Sequence, residues 1–249
     1  MSNSRDSVVV AINGLGGLEF LWDGLRAALS PRYELVVLDL PGHGDRPPLP
    51  DYHYAALVDD VVERVKPCRE FPLLGWSVGA AVAWLLAAQH PQLVTSLVLI
   101  EPAAPHQSRF RHGPIPEPVH PFTFAGIDKA IEALRAVDSS VTQTDVVRLY
   151  RQNSAGRWEP RFDPAMYAPL VEDARDLGDE LGLELAAVRC PVLVVRGERS
   201  FLTDAMAQEL VSLAPNSTYA TVRDAGHFVV KEKPTELGRI ISNFLGTRQ

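Results

Sequence analysis

The chain has 249 residues, 46% of them hydrophobic and 22% charged, the proportions of a folded globular protein rather than a disordered one. A net charge of −7 and an isoelectric point near 5.5 argue against nucleic-acid binding, which needs a basic face. The two cysteines, Cys68 and Cys190, lie far apart with no Cys-x-x-Cys pair, which argues against both a disulfide framework and a zinc site.

The first residues, Met1 to Ser7, are polar, and no apolar run approaches the roughly 20 residues of a membrane span. The expectation is a cytoplasmic protein with reduced thiols, acting on a small molecule, with no nucleic-acid or membrane partner and no cofactor or metal. Alanine is abundant and only four of the 24 basic residues are lysine, a composition that points to a high-GC bacterial genome.

Strand and helix patterns alternate from the start. Val8–Ile12 is a short β-branched run, and Phe20–Leu29 spaces its apolar residues as a helix. Leu35–Leu38 is a second strand, closed by Asp39-Leu40-Pro41-Gly42, and Tyr54–Val65 carries a helical apolar stripe. Pro72–Leu74 reads as a strand ending at Gly75. Val78–Gln89 then reads as a nearly all-apolar, buried helix, and Leu97–Ile100 as a strand ended by Glu101-Pro102. Continuous apolar strands separated by helices predict a mostly parallel sheet covered on both faces, an α/β fold.

The texture changes after Pro102. Five prolines and three histidines fall between Pro105 and Pro121, and helical patterns follow at Ile127–Val137, Asp145–Gln152 and Pro164–Leu177. The acidic stretch from Glu172 to Glu180 reads as a solvated helix face. No clear buried strand precedes Pro191. The βα rhythm then resumes with a strand at Val192–Val195, a helix at Thr203–Leu213 capped by Thr203, a strand at Thr218–Val222 and a helix at Pro234–Phe244. This division predicts a core formed by 1–104 and 187–249 and a helical cap formed by 105–186.

The residues that carry chemistry begin with Gly75-Trp76-Ser77-Val78-Gly79, a G-x-S-x-G between a strand and a helix. The glycines allow a sharp turn that projects the Ser77 hydroxyl above the sheet. The helix that follows offers unpaired N–H groups to developing negative charge. His227 comes 150 residues later, in Ala225-Gly226-His227-Phe228, and a near-neutral imidazole there can take the serine proton and return it. A dinucleotide reading of Gly14-Leu15-Gly16-Gly17-Leu18-Glu19, with Asp39 as ribose acid, lacks its third glycine.

With these motifs the chain resembles the α/β-hydrolase family, of the capped, serine-nucleophile, esterase- or thioesterase-like kind. Asn13-Gly14-Leu15-Gly16-Gly17 sits where that family usually has a His-Gly motif. Asp39-Leu40-Pro41-Gly42-His43-Gly44 matches a family loop, and the His227 loop matches the one carrying the family's catalytic histidine. The resemblance implies Ser77 as nucleophile, His227 as base, and the backbone N–H groups of Val78 and Leu15 as oxyanion hole. Gly14 and Trp76 would lie beside the substrate, with Trp76 serving equally well as core packing. His43, His106, His112 and His120 are read as structural or pocket-lining.

The acid departs from the family pattern. The family often has Asp three residues after the glycine that ends the next-to-last core strand; here Gly197 is followed by Ser200 at that place. The other family location, after the preceding core strand, holds Glu101. Asp204 is a second candidate, and a pair with no acid a third. The expected activity is hydrolysis of a small or medium ester, thioester or lactone through an acyl-enzyme. The alternatives are a lyase or C–C bond-cleaving enzyme on the same Ser and His, and a non-catalytic ligand-binding protein on the hydrolase fold.

Overall fold

The computed structural model describes residues 7–29, 31–66, 68–102, 118 and 121–246. Strands β1 (Ser7–Ile12), β2 (Tyr33–Leu38), β3 (Phe71–Trp76), β4 (Val94–Ile100), β7 (Val192–Gly197) and β8 (Ser217–Val222) form one sheet in the order β2-β1-β3-β4-β7-β8. Every neighbouring pair is parallel. β5 (Tyr150–Gln152) and β6 (Trp158–Pro160) form a separate antiparallel hairpin.

Side chains on successive strand residues point to opposite faces, so each apolar strand feeds two cores. Val10, Ile12, Leu73, Leu97, Leu99, Val192 and Val194 face α2 (Tyr54–Val65), α3 (Val78–Gln89) and α7 (Asp204–Leu213). Val9, Ala11, Leu74, Val98, Ile100, Leu193 and Val195 face α1 (Asp23–Leu29), α8 (Val229–Glu232) and α9 (Pro234–Gly246). α3 is buried nearly all round, as its sequence predicts, because it lies between the sheet, α2 and α6 (Tyr167–Ala187). The parallel sheet flanked by helices is the α/β architecture expected from the sequence.

The segment between β4 and β7 holds two packing units. α4 (Ile127–Val137), α5 (Gln143–Leu149) and the β5–β6 hairpin share a small core of Phe124, Ala130, Leu134, Val141, Val146 and Tyr150. α6 instead packs its Leu170, Leu177 and Leu185 into the main core. The hairpin is tied to the loop after β2: Gly44 N–H donates to Arg161 O (2.6 Å), Asp163 N–H to Gly42 O (2.8 Å), and the Tyr52 hydroxyl to Asp163 Oδ2 (3.0 Å).

Local differences from the sequence reading have physical causes. Asp145–Gln152 does not continue as one helix; α5 ends at Leu149 and Tyr150 begins a strand. The turn at Asn153–Gly156 folds the chain back, with Gly156 at φ 74° and Asn153 N–H donating to Arg157 O. The Asp145 carboxylate completes a capping box with Thr142. α6 runs ten residues past Leu177, and Glu19–Trp22 is a 3-10 turn ahead of α1. Asp173, in the acidic stretch read as solvated, accepts the Tyr54 N–H at the start of α2 (2.5 Å). His106, His112 and His120 lie outside the described residues.

The turn after β3 is where the fold is tightest. A Cβ on Gly79 would lie 2.3 Å from Asn13 O and 2.4 Å from Ile12 O, and one on Gly75 would lie 2.3 Å from Gly79 O. Both contacts are with backbone that cannot rotate away, so α3 and β1 meet this closely only without side chains there. Gly79→Ala is expected to destabilise the protein by about 1–3 kcal/mol or more, read from the urea unfolding midpoint. An unchanged midpoint would mean that the turn relaxes away from β1.

Candidate active site

The site lies at the C-terminal edge of the sheet, where β1, β3, β4, β7 and β8 end. Ser77 follows β3 with φ 56° and ψ −120°, a sparsely populated conformation for a residue with a side chain. Its N–H donates to Ile100 O (3.0 Å) and α3 starts at the next residue, so the hydroxyl is aimed up from the turn. His227 arrives from the loop after β8, and its Nε2 lies 3.0 Å from Ser77 Oγ.

The other ring nitrogen meets a carboxylate. Glu101, the residue after β4, is fully buried at φ 50°, and its Oε2 lies 3.1 Å from His227 Nδ1. A carboxylate accepts, so Nδ1 carries the proton and Nε2 is left free to accept from the serine hydroxyl. Gly197 N–H donates to Glu101 Oε1 (2.5 Å), and the Ser200 hydroxyl donates to Oε2. Asp204 is elsewhere, at the start of α7, where its carboxylate accepts from Gln208 Nε2 (2.8 Å). Of the two candidate acids, the fold brings Glu101 to the ring.

The His227 loop is fixed from several sides. Trp76 is buried, and its indole N–H donates to His227 O (2.9 Å) while its ring packs edge-on against Phe228. Of the two roles open to Trp76 in the sequence, the structure gives it core packing and a brace on the histidine loop. Gly226 N–H donates to the Glu232 carboxylate (3.0 and 3.1 Å), and Arg199 N–H to Ala225 O (2.8 Å). Phe201, 40% exposed, sets its ring 4.6 Å from the His227 ring and screens one side of it.

The loop after β1 forms the opposite wall. Gly14 packs so closely that a Cβ there would come within 2.9 Å of Ser77 Cβ. Leu15 follows it in a turn closed by Gly17 N–H donating to Gly14 O (3.0 Å). Val78 N–H is in the first turn of α3, where no intrahelical acceptor exists. Asn13 stands where the resemblance puts histidine. Fully buried, it donates Nδ2–H to Asp39 (2.5 Å) and accepts the Trp22 indole N–H (2.6 Å), a double role that an amide fills. Burial pushes the Asp39 carboxyl up, opposed by the Asn13 hydrogen bond.

His43 supports this wall from behind. It is fully buried, stacks on Phe162, accepts the Gly16 N–H at Nε2 (2.9 Å) and faces Pro41 O with Nδ1 (3.2 Å). Burial lowers its pKa to about 4, so the ring is neutral near pH 7, as its acceptor role requires. Among the described residues no group of three or more His, Cys, Asp or Glu side chains forms a metal-binding cluster. No described helix is long and apolar enough to cross a membrane.

Sequence reading did not find three of these contributors: Ser200, Phe201 and the brace from Trp76. Position 200 was visible as a place that lacks the family aspartate, and that was the available signal for Ser200 and its neighbour.

An α/β-hydrolase arrangement is what this sheet order, turn and histidine loop define. The alpha/beta hydrolase family model matches residues 9–239, and the chain belongs to that family. It is 29% identical over 265 aligned positions to an esterase of Mycobacterium tuberculosis, covering 96% of this chain and 83% of that one. It is 37% identical over 91 residues to the pimeloyl-[acyl-carrier protein] methyl ester esterase of Neisseria meningitidis, and that match spans 36% of this chain and 34% of the other. The thioesterase domain from the curacin biosynthetic pathway superposes with a TM-score of 0.80 at 20% identity. The match covers 98% and 93% of the two chains and is a likeness of fold.

The neutral, buried His43 has a measurable consequence. Its pKa falls from 6.5 to about 4 on folding, so below pH 6.5 the unfolded chain takes up a proton that the folded chain refuses. This contribution to stability is fully present above pH 6.5 and is lost as pH falls to about 4, a change of about 3 kcal/mol. His43→Gln should flatten the stability–pH curve between pH 6.5 and 4 relative to the parent, measured by urea unfolding at each pH. Parallel curves would contradict it.

Proposed function

We propose that this chain is a serine hydrolase that cleaves a small or medium ester, thioester or lactone through an acyl-enzyme. The observation that carries the reading is the continuous relay from Glu101 Oε2 to His227 Nδ1 (3.1 Å) and from His227 Nε2 to Ser77 Oγ (3.0 Å). The names of its relatives, esterases among them, support ester chemistry.

In this reading Ser77 Oγ attacks the carbonyl carbon while His227 Nε2 takes the hydroxyl proton. Glu101 stabilises the imidazolium that forms. The carbonyl oxygen becomes an oxyanion between the N–H groups of Val78 and Leu15, donors that act on charge present only in the transition state. His227 returns the proton to the leaving alcohol or thiol. Water, deprotonated by the same imidazole, then attacks the acyl-Ser77 carbonyl and frees the acid. α4, α5 and the β5–β6 hairpin, which share their own small core, would serve as the cap that bounds the substrate.

A non-catalytic binding protein draws its support from the serine at position 200, and the carboxylate that Glu101 brings to His227 weighs against it. Lyase or C–C bond cleavage on the same Ser and His would be separated from hydrolysis by product analysis.

The test is kinetic. Glu101→Gln is expected to lower kcat toward p-nitrophenyl butyrate by on the order of 10³–10⁴, as loss of the orienting acid does in serine proteases. Asp204→Asn should stay within about threefold of the parent. Near-native activity of Glu101→Gln would overturn the assignment.

A further inference from the structure

The acid in this site is held by a residue standing where the acid itself was expected. Ser200 is the third residue after Gly197, on the loop that follows β7. Its hydroxyl donates to Glu101 Oε2, the same oxygen that His227 Nδ1 faces at 3.1 Å. Leu202 N–H donates to Ser200 Oγ (3.1 Å), which occupies the hydroxyl as an acceptor and leaves its proton for the carboxylate. A turn closed by Ser200 N–H donating to Gly197 O (3.1 Å) fixes the backbone beneath.

The arrangement follows from sheet order. β4 and β7 are neighbours, with Ile100 paired to Val195, so the residues leaving the two strands converge above one edge. Glu101 reaches the ring from β4 and Ser200 reaches Glu101 from β7. Two donors on one oxygen must lie close together, which places position 200 beside the His227 ring. Glu101 is fully buried, and a buried carboxylate without its donors is free neither to swing into water nor to stay unsatisfied.

We propose that Ser200 is a positioning residue that holds Glu101 Oε2 against His227 Nδ1. This rests on reading Ser77, His227 and Glu101 as the catalytic triad. Ser200 acts through Glu101, whose Oε2 accepts its hydroxyl proton.

The experiment compares kcat, KM and melting temperature for hydrolysis of p-nitrophenyl butyrate by the full chain and the variants Ser200→Ala, Ser200→Thr and Glu101→Gln. Ser200→Ala is expected to lower kcat by about tenfold or more with KM changed less than about twofold. Ser200→Thr, which keeps the hydroxyl, should recover most of that loss. Folding of each variant is checked by its melting temperature.

Parent-level kcat in Ser200→Ala, or threonine no better than alanine, overturns the positioning role. Loss of activity in Glu101→Gln with indifferent Ser200 variants would leave the triad reading standing, whereas a fully active Glu101→Gln would bring down that reading itself.

Discussion

The site depends on one buried carboxylate fixing one ring. An imidazole can serve Ser77 only if the nitrogen facing Oγ is free of a proton, and it has two tautomers and a freely turning ring with which to fail. Glu101 removes that freedom: a fully buried acceptor 3.1 Å from Nδ1 selects the tautomer and the rotamer together. Everything around it keeps the carboxylate there, since an ionised group without water must be surrounded by donors. Gly197, Ser200 and His227 supply them, from two loops at the same sheet edge.

The backbone stores strain at the same place. The non-glycine residues at positive φ among those described are Ser77, Glu101 and Asp224, with φ between 49° and 56°. Two are members of the relay and the third lies three residues before His227. Each such conformation costs of order 1–3 kcal/mol and persists only where the surroundings over-determine it. Here the surroundings are the parallel register of β3, β4, β7 and β8, the side-chain-free crossing of α3 and β1, and the Trp76 indole that ties the nucleophile's turn to His227 O. The large two-sided core thus acts on function by holding the ends of neighbouring parallel strands at one edge of the sheet.

Much of this was legible in the sequence because the strongest signals are local. The run of apolar strands and helices gives a two-sided parallel sheet from period alone, and Gly75-Trp76-Ser77-Val78-Gly79 gives the turn because only glycine fits at both ends of it. What was less legible depends on distant partners. Asp145–Gln152 keeps helical spacing, yet Tyr150 leaves the helix to pair with a strand ten residues on. Asp173 looks solvated until α2 is seen to begin beside it. Trp76 is ambiguous between core and pocket until its indole meets a carbonyl 151 residues away. Glu101 and Ser200 sit 99 residues apart, and no spacing rule links them; only the adjacency of β4 and β7 does.

The central claim, that the Ser77 hydroxyl is the group made nucleophilic by this relay, is tested most directly by trapping what it forms. Rapid acid quench of turnover with p-nitrophenyl butyrate, followed by peptide mass mapping, should find a butyryl group on the peptide containing Ser77 and nowhere else. Turnover with no acyl adduct at Ser77, or with the adduct on another residue, would contradict the account.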